Sequence, residues 1–388
     1  MSRKNNGSTV ARWLIERIDA CDLFGGFTRM ESRIGSVDLL GKAMWVTFAL
    51  IVISGIGLLG GYSPTITRSF ISVEYLQNEY PLGWWFRGVH KWGCDLFIIL
   101  GFVRILRIAF WRTYKAPGEI GWLSAIGLVS LAIAGGLSGY LLVWNQRAFE
   151  MGGTMGSLSD SPAEFEKLYP LGGFALSGWL SKIILGGPEL SQAGLSMTFA
   201  SHIAIGMFVL VWALCWRTWP RPKFPGYMDF SLRVPPALLW TIAFGLSFIA
   251  LILPPPLGSV TDTILHPHPA LADWFLLDFY QLIDSLGPTA GISVMVAGSA
   301  IIILLPWLDR TPPGLPQAGV KGLFIGFIAA SIILSAKKLG WQIPDNAMFG
   351  LIALAWLVIF GIVVIAERLG PQRINNIKAG NRGEVGEE

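Results

Sequence analysis

The sequence predicts an all-α polytopic membrane protein of eight transmembrane helices, and three observations carry that prediction. The 388 residues are 53% hydrophobic and 14% charged, with a mean hydropathy of +0.56, a balance too apolar for a soluble domain of this length. Eight stretches are apolar for long enough to cross a hydrocarbon core of about 30 Å at about 1.5 Å per helical residue. The charges also alternate by side. Arg12, Arg17, Arg29, Arg33, Arg112, Lys115, Arg217, Arg221, Lys223, Arg310 and Arg368 fall on the termini or even-numbered connections, whereas the opposite loops carry Glu74, Glu79, Glu150, Asp160, Glu164, Asp262 and Asp273. Positive residues stay inside, so both termini are expected to be cytoplasmic.

Taken in order, residues 1–37 form an inner N-terminal segment, in which "VARWLIERIDACDLF" has apolar residues at helical spacing with charges between them. That pattern suits a helix lying on the membrane surface. Crossings are expected near Lys42–Gly61, Trp85–Phe110, Trp122–Val143 and Ser196–Trp216 in a first four-helix domain, 38–219. The basic, proline-rich connection "TWPRPKFPGYMDFSLRVPP" separates it from a second, 220–369, with crossings near Pro235–Leu253, Pro288–Trp307, Lys321–Ser335 and Ala347–Ala366. Residues 370–388 read as a polar, disordered inner tail. The longest non-membrane stretches, Trp144–Leu195 and Pro254–Gly287, are both outside, where loops on a rigid scaffold carry chemistry.

Several functions are excluded at this stage. The net charge of +4 is scattered over membrane-proximal loops and forms no stripe for nucleic acid. Cys21, Cys94 and Cys215 are isolated and no Cys-x-x-Cys-His occurs, so neither a disulfide framework nor an ordinary covalent c-type haem is expected. No short apolar core with a small-residue cleavage site opens the chain, so no cleaved leader is expected.

Histidines inside membrane helices usually face the bundle interior and have a partner. His90 and His202 lie near the outer ends of the second and fourth crossings, which both run inward, so their imidazoles sit at similar depth. Two such imidazoles can supply both axial ligands of a haem and leave no open position, which favours electron transfer over oxygen chemistry. The alternative at this level is a structural pair bonded to backbone or to each other. Asp95, about a turn and a half below His90, has no partner that the sequence reading names.

The stretch "YSPTITRSFISVEYLQNEYPLGWWFRGVHKWG", followed by "YKAPGEIGW" and "SGYLLVWNQ", resembles the first half of cytochrome b, the plastid-type protein especially. The later "HPHPALADWFLLDFYQLIDSLGP" resembles subunit IV of the same complex. The resemblance implies a haem-carrying electron-transport subunit of a quinol–cytochrome c reductase-like complex in the inner membrane of a bacterium. It implies haem b bound by His90 and His202, glycines Gly55 and Gly139 beside the outer haem, and Arg87 paired with a haem propionate.

In that family each haem helix has a second histidine fourteen residues further on, about 21 Å along the axis. Here those positions are Arg104 and Trp216, so only one haem b, the outer one, is expected. Arg104 is read either as stacking on Trp216 in the lost haem's space or as snorkelling inward beside Arg107. The position of the plastid-type protein's covalent inner haem is Leu39, so no such haem is expected.

The family's outer quinol-oxidation signature matches Ala272, Asp273, Trp274 and Phe275, with Asp273 as the proton-accepting acid, and Tyr140 and Trp144 line the same pocket by resemblance. Read from residues alone, Asp273 is equally a solvated acid at a helix start. His266 and His268 belong either to an outer contact with a redox partner or to an exposed turn. The expected partners are quinone and an outer Rieske protein, c-type cytochrome or molybdoenzyme, in a multisubunit complex for which a dimer is one arrangement. A second class of function stands beside this one: a haem-poor membrane anchor that binds quinone or lipid and assembles partner subunits.

Overall fold

The computed structural model describes residues 9–19, 37–149, 191–218, 234–260, 273–310, 318–344, 347–358, 360–362 and 365. Among them the chain is helical throughout, and its one ladder contact is an isolated bridge between Asn145 and Val260. The helices are α1 (Thr9–Asp19), α2 (Val37–Leu59), α3 (Ser69–Asn78), α4 (Gly83–Trp111), α5 (Glu119–Val143), α6 (Gln192–Thr218), α7 (Pro236–Ile252), α8 (Leu277–Leu286), α9 (Pro288–Ile303) and α10 (Ala318–Lys338). A further helix, α11, covers 347–358.

Among the described residues, four helices are long and apolar enough to cross a membrane: Leu39–Leu59, Glu119–Val143, Gln192–Cys215 and Gly319–Lys338. The chain is thus a multi-pass membrane protein. Helix α4 is the longest, at 29 residues, and falls outside that set because Arg87, Lys91, Asp95, Arg104 and Arg107 interrupt its apolar character. The apolar helices in α7, α9 and after residue 347 are shorter than a full span.

Two compact units divide the molecule. The first holds α1 to α7 apart from the last turns of α4, Leu106–Arg112, which belong with the second.

Within the first unit, α2, α4, α5 and α6 enclose an apolar core of Met44, Phe48, Phe97, Leu128, Val209 and Ala213, flanked by Trp45, Leu131 and Trp212. Helix α7 joins this unit through a second cluster, Val89, Leu246 and Ala250. The sequence had grouped this helix with the C-terminal half, since a segment apolar all round shows no preferred face. Its seat is made by small residues: a methyl at Gly88 would run into Ala250, so α4 and α7 approach closely. Two indoles fasten the crossing, Trp85 Nε1 donating to Ser247 Oγ at 2.8 Å and Trp92 Nε1 to the Leu253 carbonyl at 2.9 Å.

The C-terminal end of α5 is closed by Trp144 in a left-handed conformation, φ 54°, which stops the helix. Its freed Leu142 carbonyl accepts from Tyr62 Oη at 2.8 Å and Ser69 Oγ at 2.9 Å. At the other end α1 docks on α5. Arg17 donates to Glu119 Oε1 at 3.2 Å, and its guanidinium lies 4.3 Å from the Trp13 ring centre.

In the second unit α8 packs between α9 and α10. Ser331 of α10 donates to Asp278 Oδ2 at 2.6 Å, Lys338 pairs with Asp284, and Arg112 forks onto Asp309 through Nε at 3.0 Å and Nη2 at 2.7 Å.

Candidate functional site

The structure brings His90 of α4 and His202 of α6 together toward one end of the four-helix bundle, with ring centres 6.0 Å apart and planes inclined by 60°. His90 Nδ1 lies 2.9 Å from the Ile51 carbonyl of α2. A carbonyl only accepts, so the proton sits on Nδ1 and Nε2 keeps its lone pair. His202 is held the same way, its backbone acceptor being Gly135 of α5. Metal-bound histidines characteristically anchor the second ring nitrogen on such an acceptor, which fixes tautomer and ring plane.

Gly55 and Gly139 stand behind these rings. A methyl at Gly55 would lie 3.0 Å from His90 Cε1, and one at Gly139 would lie 3.1 Å from His202 Cε1. The missing Cβ therefore makes room for the imidazoles, each backed by the preceding membrane helix of the bundle.

The serines just before the glycines were not singled out from the sequence. Ser54 Oγ lies 3.3 Å from His90 Nδ1 and Ser138 Oγ lies 3.0 Å from His202 Nδ1. Each also donates to the carbonyls three and four residues before it: Ile51 at 3.0 Å and Leu50 at 2.6 Å for Ser54, Gly135 at 3.0 Å and Ala134 at 2.8 Å for Ser138. The signal available was the repeated Ser-Gly in "VISGIG" and "GLSGYL".

These residues fit a bis-histidine haem. The donor set is two neutral imidazoles with both Nδ1 atoms engaged, and the 6.0 Å between ring centres accommodates one metal bonded at about 2 Å to a nitrogen on either side.

Arg87 lies at the same end of the unit and is bonded to backbone carbonyls. Its Nη1 donates to the Pro255 carbonyl at 2.6 Å and its Nη2 to the Pro256 carbonyl at 3.0 Å. The segment so gripped is tied again by Asn145 Nδ2 donating to Leu257 O at 2.7 Å and by the Gln146 amide donating to Ser259 O at 3.0 Å. Proline carbonyls have no competing amide of their own, which makes "PPPL" a row of acceptors for a buried guanidinium.

Tyr140 is half-buried near the end of α5, with the Arg147 guanidinium 5.1 Å from its ring centre. Asp273 belongs to the second unit, at the cap position of the short turn Trp274–Leu276. It is 8% exposed and makes no capping hydrogen bond, so the picture of a solvated acid complementing a helix start does not hold. His266, His268 and Ala272 lie outside the described residues, as does the side chain of Trp216.

Two residues below the histidines gain definition. Asp95 pairs with Lys91 one turn above it, a partner legible at i, i+4 spacing. Arg104 is 4% exposed, well inside the protein rather than reaching out of it. Snorkelling is therefore not its arrangement in the first unit.

With this geometry in place, the comparisons decide the family. Residues 28–217 match the family described as Cytochrome b/b6/petB, and residues 260–363 match Cytochrome b(C-terminal)/b6/petD. The chain belongs to the cytochrome b family. A protein named cytochrome bc complex cytochrome b subunit from Chlorobaculum thiosulfatiphilum is 27% identical over 314 residues, covering 75% of this chain and 70% of that one. A cytochrome b6 of Prochlorococcus marinus (strain AS9601) is 25% identical over 211 residues, covering 54% of this chain and 90% of its own length. A solved structure titled hyperthermophilic respiratory Complex III superposes with a TM-score of 0.67 at 24% identity, covering 85% of this chain and 91% of that chain, a likeness of fold. Membership of the cytochrome b family implies haem b and a quinone partner.

Proposed function

We propose that this chain is the membrane electron-transfer subunit of a bc-type assembly, with one haem b held between His90 and His202 near the outer face. It exchanges electrons between quinol and an outer redox partner. The observation that carries the proposal is the histidine pair itself: two rings 6.0 Å apart, each oriented by a carbonyl of the neighbouring helix, with a glycine behind it. A haem held there by His90 and His202 would supply a one-electron carrier.

The residues support a single haem. Arg104 and Trp216 stand where an inner ligand pair would be needed, and neither side chain offers a lone pair to iron. Between them and the histidines the bundle is filled by Met44, Phe48, Phe97, Leu128, Val209 and Ala213. Without a second carrier, both electrons of each quinol leave toward the outer side, to a Rieske protein, c-type cytochrome or molybdoenzyme. By the family resemblance Asp273, which is buried, is assigned as a proton acceptor for quinol, and Tyr140 of the first unit as a residue that meets quinol.

The remaining placement is part of the same reading: eight crossings in a bacterial inner membrane, both termini inside, α1 on the inner surface, a tail after 369, and sequence domains 38–219 and 220–369, the second counting α7 by chain order although that helix packs on the first unit. In α1, Val10, Leu14 and Ile15 are exposed, which suits immersion in the headgroup region.

One observation favours the anchor reading instead. Arg87 directs two of its guanidinium donors to the Pro255 and Pro256 carbonyls. A pyridine haemochrome assay on the purified full chain separates the two. One haem b per chain supports the proposal, none supports the anchor, and two overturns the single-site reading.

A further inference from the structure

We propose that Ser54 and Ser138 are positioning residues that tune the redox potential of the bound iron, each acting through the imidazole it touches. The inference rests on the reading of a haem between His90 and His202, and it concerns residues that this reading leaves without a role.

The geometry is repeated almost atom for atom on the two sides. On α2, Ser54 Oγ lies 3.3 Å from His90 Nδ1 and donates its proton to Leu50 O at 2.6 Å, with Ile51 O at 3.0 Å. On α5, Ser138 Oγ lies 3.0 Å from His202 Nδ1 and donates to Ala134 O at 2.8 Å, with Gly135 O at 3.0 Å. A hydroxyl has one proton and two lone pairs. With the proton committed to the helix carbonyls, what each serine turns toward the imidazole is an acceptor.

The His90 Nδ1–H is therefore shared between the Ile51 carbonyl and a hydroxyl oxygen, and the His202 ring has the same two kinds of partner in Gly135 and Ser138. Two acceptors on one N–H draw its proton away from the ring and raise the basicity of the opposite nitrogen, the one left for iron. A more basic ligand stabilises the more highly charged, oxidised metal, so the pair holds the potential down. Both serines are buried, and no bulk water replaces the hydroxyl if it is removed. In that low-dielectric setting the polar contact acts at close to full strength.

The closer contact at His202 sets an order. Loss of Ser138 matters more than loss of Ser54, and the two effects add because the serines sit on different helices and touch different rings.

The test is an equilibrium redox titration of the purified full chain, read by visible absorption, together with the low-spin EPR signal. Ser54→Ala and Ser138→Ala are each expected to move the midpoint to more positive values, Ser138→Ala further, the double variant furthest, with Ser138→Thr close to wild type. The leading EPR g-value shifts with the Ala variants and returns with Thr. A purely structural serine would lower the amount of haem retained without moving the midpoint of what remains. Wild-type midpoints in both Ala variants, or shifts to more negative values, overturn the inference while the haem site stands. Wild-type protein with no b-type spectrum overturns the site and this inference together. Should Ser138→Ala not accumulate, Ser54→Ala reads the same shift.

Discussion

Replacing Gly55 by alanine is the sharpest test of the ligand cradle. In an exposed helix position alanine is favoured over glycine by about 1 kcal/mol, so the change would stabilise α2 if nothing opposed it. The built methyl lies 3.0 Å from His90 Cε1 and 3.3 Å from Nδ1. The ring has little freedom to retreat, because Nδ1 is bonded at 2.9 Å to Ile51 on the same helix as the new methyl. Overpacking of this kind costs about 1–3 kcal/mol. Since it falls on the ligand ring, it appears as about 5-fold to 150-fold weaker haem binding.

Gly139→Ala is the milder case, with 3.1 Å to Cε1 and 3.7 Å to the next atom. Gly206→Ala, on the His202 helix but with nothing within 4 Å, is the control. Haem titration of the detergent-solubilised apoprotein measures all three. Equal affinity for Gly55→Ala and wild type, or a loss at Gly206→Ala as large as at Gly55→Ala, would refute the argument.

Two further predictions concern the outer face. Arg87→Leu removes both donors to Pro255 and Pro256, so amide exchange in 257–260 is expected to quicken markedly; unchanged protection there would show that Asn145 and Gln146 suffice to hold the segment. Tyr62, outside the membrane-spanning helices, has its phenol pushed up to about 12, chiefly by burial, with the Ser69 hydrogen bond pulling weakly the other way. A raised acid resists ionisation in the folded state, so its contribution is whole below the unfolded value near 10 and is lost as pH rises from there through about 12. Thermal melts should show wild type more stable than Tyr62→Phe at pH 9, with the gap closing by pH 11; a constant gap would sink this account.

The histidine pair was legible because membrane helices make depth readable from position, and because both helices point the same way. Lys91 as the partner of Asp95 was not named from the sequence, although it stands only one helical turn away. Arg87's partners were not: they are backbone carbonyls 168 and 169 residues away, and carbonyls leave no mark in sequence. The seat of α7 was hidden for a similar reason, since its contact with α4 is made by the absence of side chain at Gly88 and the small one at Ala250. Burial of Asp273 depends on what packs over it, which no local pattern around "ADWF" reveals.

The twin arrangement at the ligands also bears on assembly. Each imidazole takes its entire support from the membrane helix made before it, His90 from α2 and His202 from α5. The clasp thus consists of two preformed jaws, each able to set its ring while the nascent chain is still emerging. On the proposed reading, capture of a porphyrin would be the meeting of two finished surfaces, and a lesion in one jaw would leave the other intact.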